Sequence, residues 1–288
     1  MSSSSPNRPD AASRPLPPLV LLAAGVGSRY GGVKPLAPVG HDDMPLLLVS
    51  MHQAAEAGFT HATVVTGPLT HEPIEAAIAK WGAPLDVKYA SQAGFGPPRK
   101  KPWGTVAALL AGADDDGVAI ANGDDLYGAQ GFRDAADWWN RNPAGVNGAL
   151  VAYRLGSTTK AIGTVNRGVA DTDEHGRLVR LREHRGVEAS GDGYRSDLEE
   201  QLSADSQASM NLWVLEPKVI ALLRTVFDRF LEAHAGDEGA ECLLPQEIGD
   251  MVSAGQLVID VVTTTSTWLG VTYADDVAGV RAALAVAP

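Results

Sequence analysis

Cysteine is nearly absent: Cys242 is the only one in 288 residues. That excludes an intramolecular disulfide and any cysteine-built zinc or iron–sulfur centre within one chain. Long apolar runs are missing as well. None approaches the roughly 20 residues that cross a bilayer, and the longest, around Leu19–Ala24 and Leu46–Val49, suit strands or short helical segments. Basic residues are in deficit, 23 against 35 acids, which gives a net charge of −12. This balance argues against a nucleic-acid duplex or an anionic membrane as the main partner. A small anionic substrate remains compatible, because a pocket needs only local cations. The rest of the composition is that of a globular protein, 45% hydrophobic and 20% charged. A chain of this length buries a core without staples.

Residues 1–18 contain ten Ser or Pro and no apolar core segment. They are expected to form a disordered tail, since such a composition cannot offset its ordering entropy. No apolar stretch of the kind a secretory signal needs occurs there, so a cytoplasmic location is expected. From Leu19 onward the pattern changes. Leu19–Ala23, His61–Thr66, Leu85–Ala90 and Val118–Ala121 read as strands. Between and after them lie helices, from Pro45 to Gly58, from a Thr70 cap to Gly82, through Val106–Ala113 and through Phe132–Trp139. Strand–helix alternation of this kind is the signature of a layered α/β sheet.

The second half is strand-rich, with strands expected at Gly148–Leu155, Ile162–Val169, Leu178–Arg182, Met210–Leu215 and Leu257–Val262. Helices are expected through Val219–Leu231, Leu244–Val252 and Val277–Leu284. The polar stretch Arg185–Gln207 reads as a loop, placed to act as a lid. The division expected is a 1–18 tail followed by one 19–288 domain with halves 19–145 and 146–288.

The first strand runs into AAGVGSRYGGVKPL, residues 23–36. Gly25, Gly27, Gly31 and Gly32 permit close backbone approach, so successive N–H groups can face an anion. Arg29 and Lys34 add mobile positive charge. Apart from a tight turn with solvated charges, the competing reading is a dinucleotide fold. That fold needs G-x-G-x-x-G, and Tyr30 stands at the third glycine position. No Gly-Lys-Ser/Thr occurs, so this is not a P-loop. Asp124 and Asp125 follow the fourth strand in AIANGDDLYG, where open α/β sheets place ligands. Two adjacent acids suit Mg²⁺, which is held by one or two carboxylates plus substrate oxygens. Their alternative use is to cap the helix beginning near Gln130. No two histidines have metal-ligand spacing, and no serine nucleophile elbow occurs. His184 reads as a surface residue.

LAAGVGSRYGGVKPL resembles the signature of the nucleotidyltransferases that join a nucleoside triphosphate to a phosphorylated small molecule. NGDDLYG resembles the sugar-phosphate, uridylyltransferase-like subgroup. The resemblance implies a three-layer α/β/α sandwich with a mixed, mostly parallel sheet, of the nucleotide-diphospho-sugar transferase type. It implies Mg²⁺-dependent transfer to a sugar 1-phosphate or similar acceptor with release of pyrophosphate, UTP–glucose-1-phosphate uridylyltransferase being one such activity. Arg29, Lys34 and Asp124 inherit the catalytic roles, with Asp124 and Asp125 at the metal. Ala23, Ala24, Gly25, Gly27, Ser28, Gly104, Thr105 and Asn122 inherit nucleotide contacts. Gly163, Glu183 and Asn211 inherit acceptor contacts, so the resemblance makes 19–145 the nucleotide-binding half and 146–288 the acceptor-binding half. The chain departs from the family pattern at Trp268-Leu269-Gly270, where glycine replaces a second metal-binding acid. That departure gives the alternative, a regulatory module that binds nucleotide or nucleotide sugar without catalysis. Arg99-Lys100-Lys101 reads either as an anion lure or as a solvated basic loop.

Overall fold

The computed structural model describes residues 14–27, 29–141, 143–159 and 163–286. The chain runs β1 (Leu19–Leu22), α1 (Leu46–Glu56), β2 (His61–Thr66), α2 (His71–Trp81), β3 (Asp86–Ser91), α3 (Thr105–Gly112), β4 (Val118–Asn122), β5 (Asp125–Leu126) and α4 (Gly128–Arg141). It continues with β6 (Gly148–Arg154), α5 (Leu155–Thr158), β7 (Val165–Thr172), β8 (Leu178–Ser190), β9 (Gly193–Arg195) and β10 (Gln207–Leu215). The last elements are α6 (Pro217–Ala233), α7 (Leu244–Ser253), β11 (Ile259–Thr263), β12 (Leu269–Gly270) and α8 (Asp276–Val286).

The sheet is mixed and has helices on both faces, a three-layer α/β architecture. Parallel pairing is confined to β3-β2-β1-β4 and to β6–β11, and the other neighbours are antiparallel. The strands near the centre are uninterrupted apolar runs because both faces are covered. Val20, Ile120 and Trp213 pack towards α3 and α6, whereas Leu19, Leu21, Ala121 and Val214 pack towards α1 and α4.

Two features of register position the site. Leu22 of β1 pairs with Asn122 of β4, so the glycine turn and the Gly123–Asp125 corner leave the sheet side by side. Strand β10 pairs β4 through Trp213–Leu215 and β7 through Gln207–Ser209, while β6 runs along its other edge. Between those stretches the ladder slips at Met210–Asn211, where Asn211 takes a left-handed φ of 65°. β4 and β7 therefore diverge, and a cavity opens between them.

Three expectations need correction. Residues 14–18 are packed: Arg14 pairs with Glu216 and lies 3.3 Å over the Trp139 ring, and Trp139 Nε1 donates to Pro15 O. The rest of the expected tail, 1–13, lies outside the described residues. Arg185–Gln207 is not a loop throughout. β8 continues to Ser190 and turns at Gly191 into β9, and Leu202 is buried behind them. Thr70 stands at the N-cap of α2, but its hydroxyl makes no cap bond and instead accepts from Gly67 N at 2.9 Å.

Candidate active site

The turn after β1 closes through Tyr30 N and Gly31 N, which both donate to Gly27 O. A side chain at Gly27 would put its Cβ 2.9 Å from Lys34 Cβ. Glycine here lets the turn fold back on Lys34. A single 3₁₀ turn, Lys34–Leu36, then aims that lysine across the sheet edge. Its Nζ lies 2.8 Å from Asp124 Oδ2 and 3.6 Å from Asp125 Oδ1.

A hydrogen-bonded network fixes the acids from below. Asn122 Nδ2 donates to Asp125 Oδ2 at 2.9 Å, and Asn211 Nδ2 donates to Asn122 Oδ1 at 2.9 Å. Trp213 Nε1 holds Asn211 Oδ1 at 3.0 Å. The Tyr127 hydroxyl accepts from Asn122 N and donates to Met210 O. Thus the β10 bulge and the end of β4 are tied together through side chains, and Asn211 reaches Asn122 because of the left-handed bulge.

Asp125 is buried. Burial, then the neighbouring Asp124 charge, pushes its carboxyl up to about 6, while Lys34 and the Asn122 amide pull it down. Burial alone would lower the Lys34 ammonium, but the Asp125 and Asp124 carboxylates outweigh it and raise it. The three groups form one electrostatic unit in which the lysine's charge partly offsets the crowding of the two acids.

Two chambers meet at Asn122 and Asp124. The smaller, about 190 Å³, is lined by Ala23, Ala24, Gly25, Gln92 and Thr105. The larger, about 1070 Å³, is lined by Arg29, Lys34, Asp125, Gly163, Glu183 and Asn211 among others. Residues expected at one site from distant parts of the sequence thus share a cavity. Burial raises the Glu183 carboxyl against the pull of Arg167 and Arg185. Gly104 does not line either chamber. Its φ of 100° and a Cβ position 2.5 Å from Cys242 O make it a packing glycine, and Gln92 Nε2 donates to its carbonyl. The Thr105 hydroxyl is engaged, accepting from Leu244 N at 2.8 Å. Ser28 lies outside the described residues.

Other readings change. Arg99 donates to the carbonyls of Asp237, Glu238 and Ala240, and Lys101 pairs with Glu241. That basic loop clamps the 237–241 segment. His184 is fully buried, with Nδ1 against Ser196 Oγ at 2.8 Å, and burial lowers its pKa. Gly270 pairs with Asp125 across the β5–β12 ladder, and a Cβ there would meet Trp268 at 2.2 Å. Trp268 therefore occupies the space that a side chain at 270 would need. Sequence reasoning gave no role to Arg167, Tyr127 or Trp213. Tyr127 sat inside the quoted NGDDLYG string, but its part in the site depends on β10, 83 residues away.

Residues 19–154 match the family model of the MobA-like NTP transferase domain. This segment, just under half of the chain, is similar to nucleotidyltransferase domains. It contains the glycine turn, Lys34 and both acids. Among curated proteins none matches the chain. Solved structures give the fold. One, from Bacillus anthracis and described as a glucose-1-phosphate thymidylyltransferase in complex with sucrose, aligns with a TM-score of 0.62 at 14% identity, over 94% of this chain and 96% of its own. Another, a UDP-glucose pyrophosphorylase complexed with UDP-glucose, aligns with a TM-score of 0.63 at 14% identity, over 94% of this chain and 98% of its own. The domain match ends with β6, and the wall formed by β7, β8 and β10 lies beyond it.

Proposed function

We propose that the chain transfers a nucleotidyl group from a nucleoside triphosphate to a sugar 1-phosphate or similar phosphorylated acceptor, and releases pyrophosphate. The observation that carries this reading is that Arg29, Lys34, Asp124 and Asp125 line the same cavity as Glu183 and Asn211. Cations for a polyphosphate and polar groups for a hydroxylated acceptor share one hollow.

Asp124 and Asp125 suit magnesium. They are adjacent carboxylates at the junction of the chambers, and Asp124 lines both. Among the described residues no cluster of three His, Cys, Asp or Glu side chains is present to complete a cage. An ion held by two carboxylates, with its other positions filled by substrate oxygens and water, fits that donor set. When bound, it supplies charge neutralisation at the reacting phosphates.

The chain's own residues then have defined tasks. The glycine turn offers backbone N–H groups to the triphosphate, and Arg29 neutralises the β- and γ-phosphates. Lys34 exchanges its carboxylate contacts for the α-phosphate. An acceptor phosphate oxygen forms the new O–P bond as the α–β bridging P–O bond breaks. The electron pair leaves on pyrophosphate. The attacking oxygen is already anionic, so no general base is needed, and catalysis reduces to positioning and charge neutralisation. Glu183 and Asn211 orient acceptor hydroxyls. Wild-type protein incubated with Mg²⁺ and a matrix of triphosphates and sugar 1-phosphates, beginning with UTP and glucose 1-phosphate, should release pyrophosphate with at least one pair. Binding of nucleotide with no release from any pair would overturn the reading.

A further inference from the structure

Three cations among the described residues line the larger chamber: Arg29, Lys34 and Arg167. Lys34 is held by two carboxylates. Arg167 is differently placed. It extends from β7, which β10 separates from β4 and β1 in the sheet. Its Nε donates to Thr158 Oγ1 at 3.3 Å, and its terminal nitrogens donate to Asn166 O at 2.7 Å and Thr158 O at 2.5 Å. A guanidinium has five N–H donors. Three are used here, which leaves one on each terminal nitrogen. The Trp268 ring, with its centroid 5.1 Å from the guanidinium carbon, restricts one face.

Among the described residues, no carboxylate pairs directly with Arg167. Burial lowers its pKa, and Asp125 and Glu183 act on it through space without a hydrogen bond. A desolvated cation held rigidly, with two donors left over, is an incomplete ion pair. Phosphate fits the forked donor geometry of arginine.

We infer that Arg167 binds the phosphate of the acceptor and places it for attack. The choice of acceptor over triphosphate follows from position. Arg29 and Lys34 belong to the glycine-turn segment, and Lys34 holds Asp124, which lines both chambers. Arg167 stands on the β7 side, and its neighbour Gly168 pairs with Glu183 in the β7–β8 ladder. A phosphorylated polyol presenting its anion to Arg167 brings its hydroxyls towards Glu183. The Thr158 and Asn166 contacts preset the guanidinium, so less side-chain freedom is lost on binding. This assignment rests on the transferase reading, but its anion-binding core does not.

The test is calorimetric titration of wild type, Arg167→Ala and Arg167→Lys with three probes: glucose 1-phosphate, UTP and inorganic phosphate. Loss of a charge-assisted hydrogen-bonded contact should weaken glucose 1-phosphate about tenfold to hundredfold in Arg167→Ala. UTP should change less than twofold. Arg167→Lys keeps the charge without the fork and should fall between, which also covers the case in which the alanine variant fails to fold. Unchanged glucose 1-phosphate affinity, or an equal loss for UTP, overturns the assignment. If wild type binds neither UTP nor glucose 1-phosphate, the transferase reading fails, and inorganic phosphate then decides Arg167. Phosphate binding that is lost in Arg167→Ala and weakened in Arg167→Lys supports an anion site, and binding that is absent in wild type or unaltered in the variants overturns it.

Discussion

Replacing Lys34 with methionine keeps the stem and removes the charge that two acids share. The Lys34 side chain is 17% exposed, against 34% for Asp124 and 9% for Asp125. Breaking a fully buried pair costs about 3–5 kcal/mol, whereas an exposed pair is worth about 0–1 kcal/mol. This contact lies between the two limits, so the ligand-free protein should lose about 2 kcal/mol at pH 8. In a chain of this size that lowers Tm by about 5 °C. The loss should depend on pH. The Asp125 carboxyl titrates near 6 in the folded chain, above its ordinary 3.8, because burial favours the neutral acid. The folded state therefore holds this proton more tightly than the unfolded state, and ionisation of Asp125 opposes folding as pH rises from about 4 to about 6. Lys34 offsets that penalty at neutral pH. Without it, Asp125 takes up a proton more readily, so the deficit of Lys34→Met relative to wild type should shrink at pH 5. Adding Asp125→Asn should recover most of the loss at pH 8. Thermal melts of the single and double variants at pH 8 and pH 5, without metal, measure this. An equal deficit at both pH values, or losses that simply add in the double variant, would refute the electrostatic unit.

Two further outcomes follow from the same geometry. Divalent metal must compete with the Asp125 proton, so Mn²⁺ or Mg²⁺ affinity should fall as pH drops through about 6, with a proton released on binding below that value; titration in buffers of different ionisation enthalpy reads the proton count. Gly270→Asp, which places an acid beside Asp125, should destabilise the protein by about 1–3 kcal/mol because its Cβ meets the Trp268 ring. Urea unfolding with and without Mg²⁺ checks this, and a stabilised variant would show that Gly270 is not fixed by packing.

The first half of the fold was readable because its physics is local. Leu19–Leu22 and Val118–Asn122 are strands covered on both faces, so their apolar runs announce them. The glycine turn and the Asp-Asp corner follow those runs directly. β8 was less legible, since it alternates little between apolar and polar and extends as a charged ribbon through Arg180, Arg182 and Glu188. Its partners, Asp171, Glu200 and Arg195, come from neighbouring strands and the segment after β9. Residues 14–18 have the composition of a tail, and residues distant in sequence hold them: Trp139, Glu216 and Ala119, whose N–H donates to Pro18 O. Arg167 looks like a surface arginine in a strand. Its burial depends on Thr158 and Trp268, which the chain supplies from either side of β8 and β10. Gly270 looked like a missing ligand, and it is also the residue that gives the Trp268 ring its space.

The central claim is that the glycine turn and the acids after β4 act on one polyphosphate. The most direct measurement is pyrophosphate release by wild type and Arg29→Ala under identical conditions, with Mg²⁺ and the best triphosphate–acceptor pair. By analogy with charge clamps in phosphoryl transfer, kcat/KM should fall about 10³-fold in the variant. A loss below about tenfold would contradict the assigned role of Arg29.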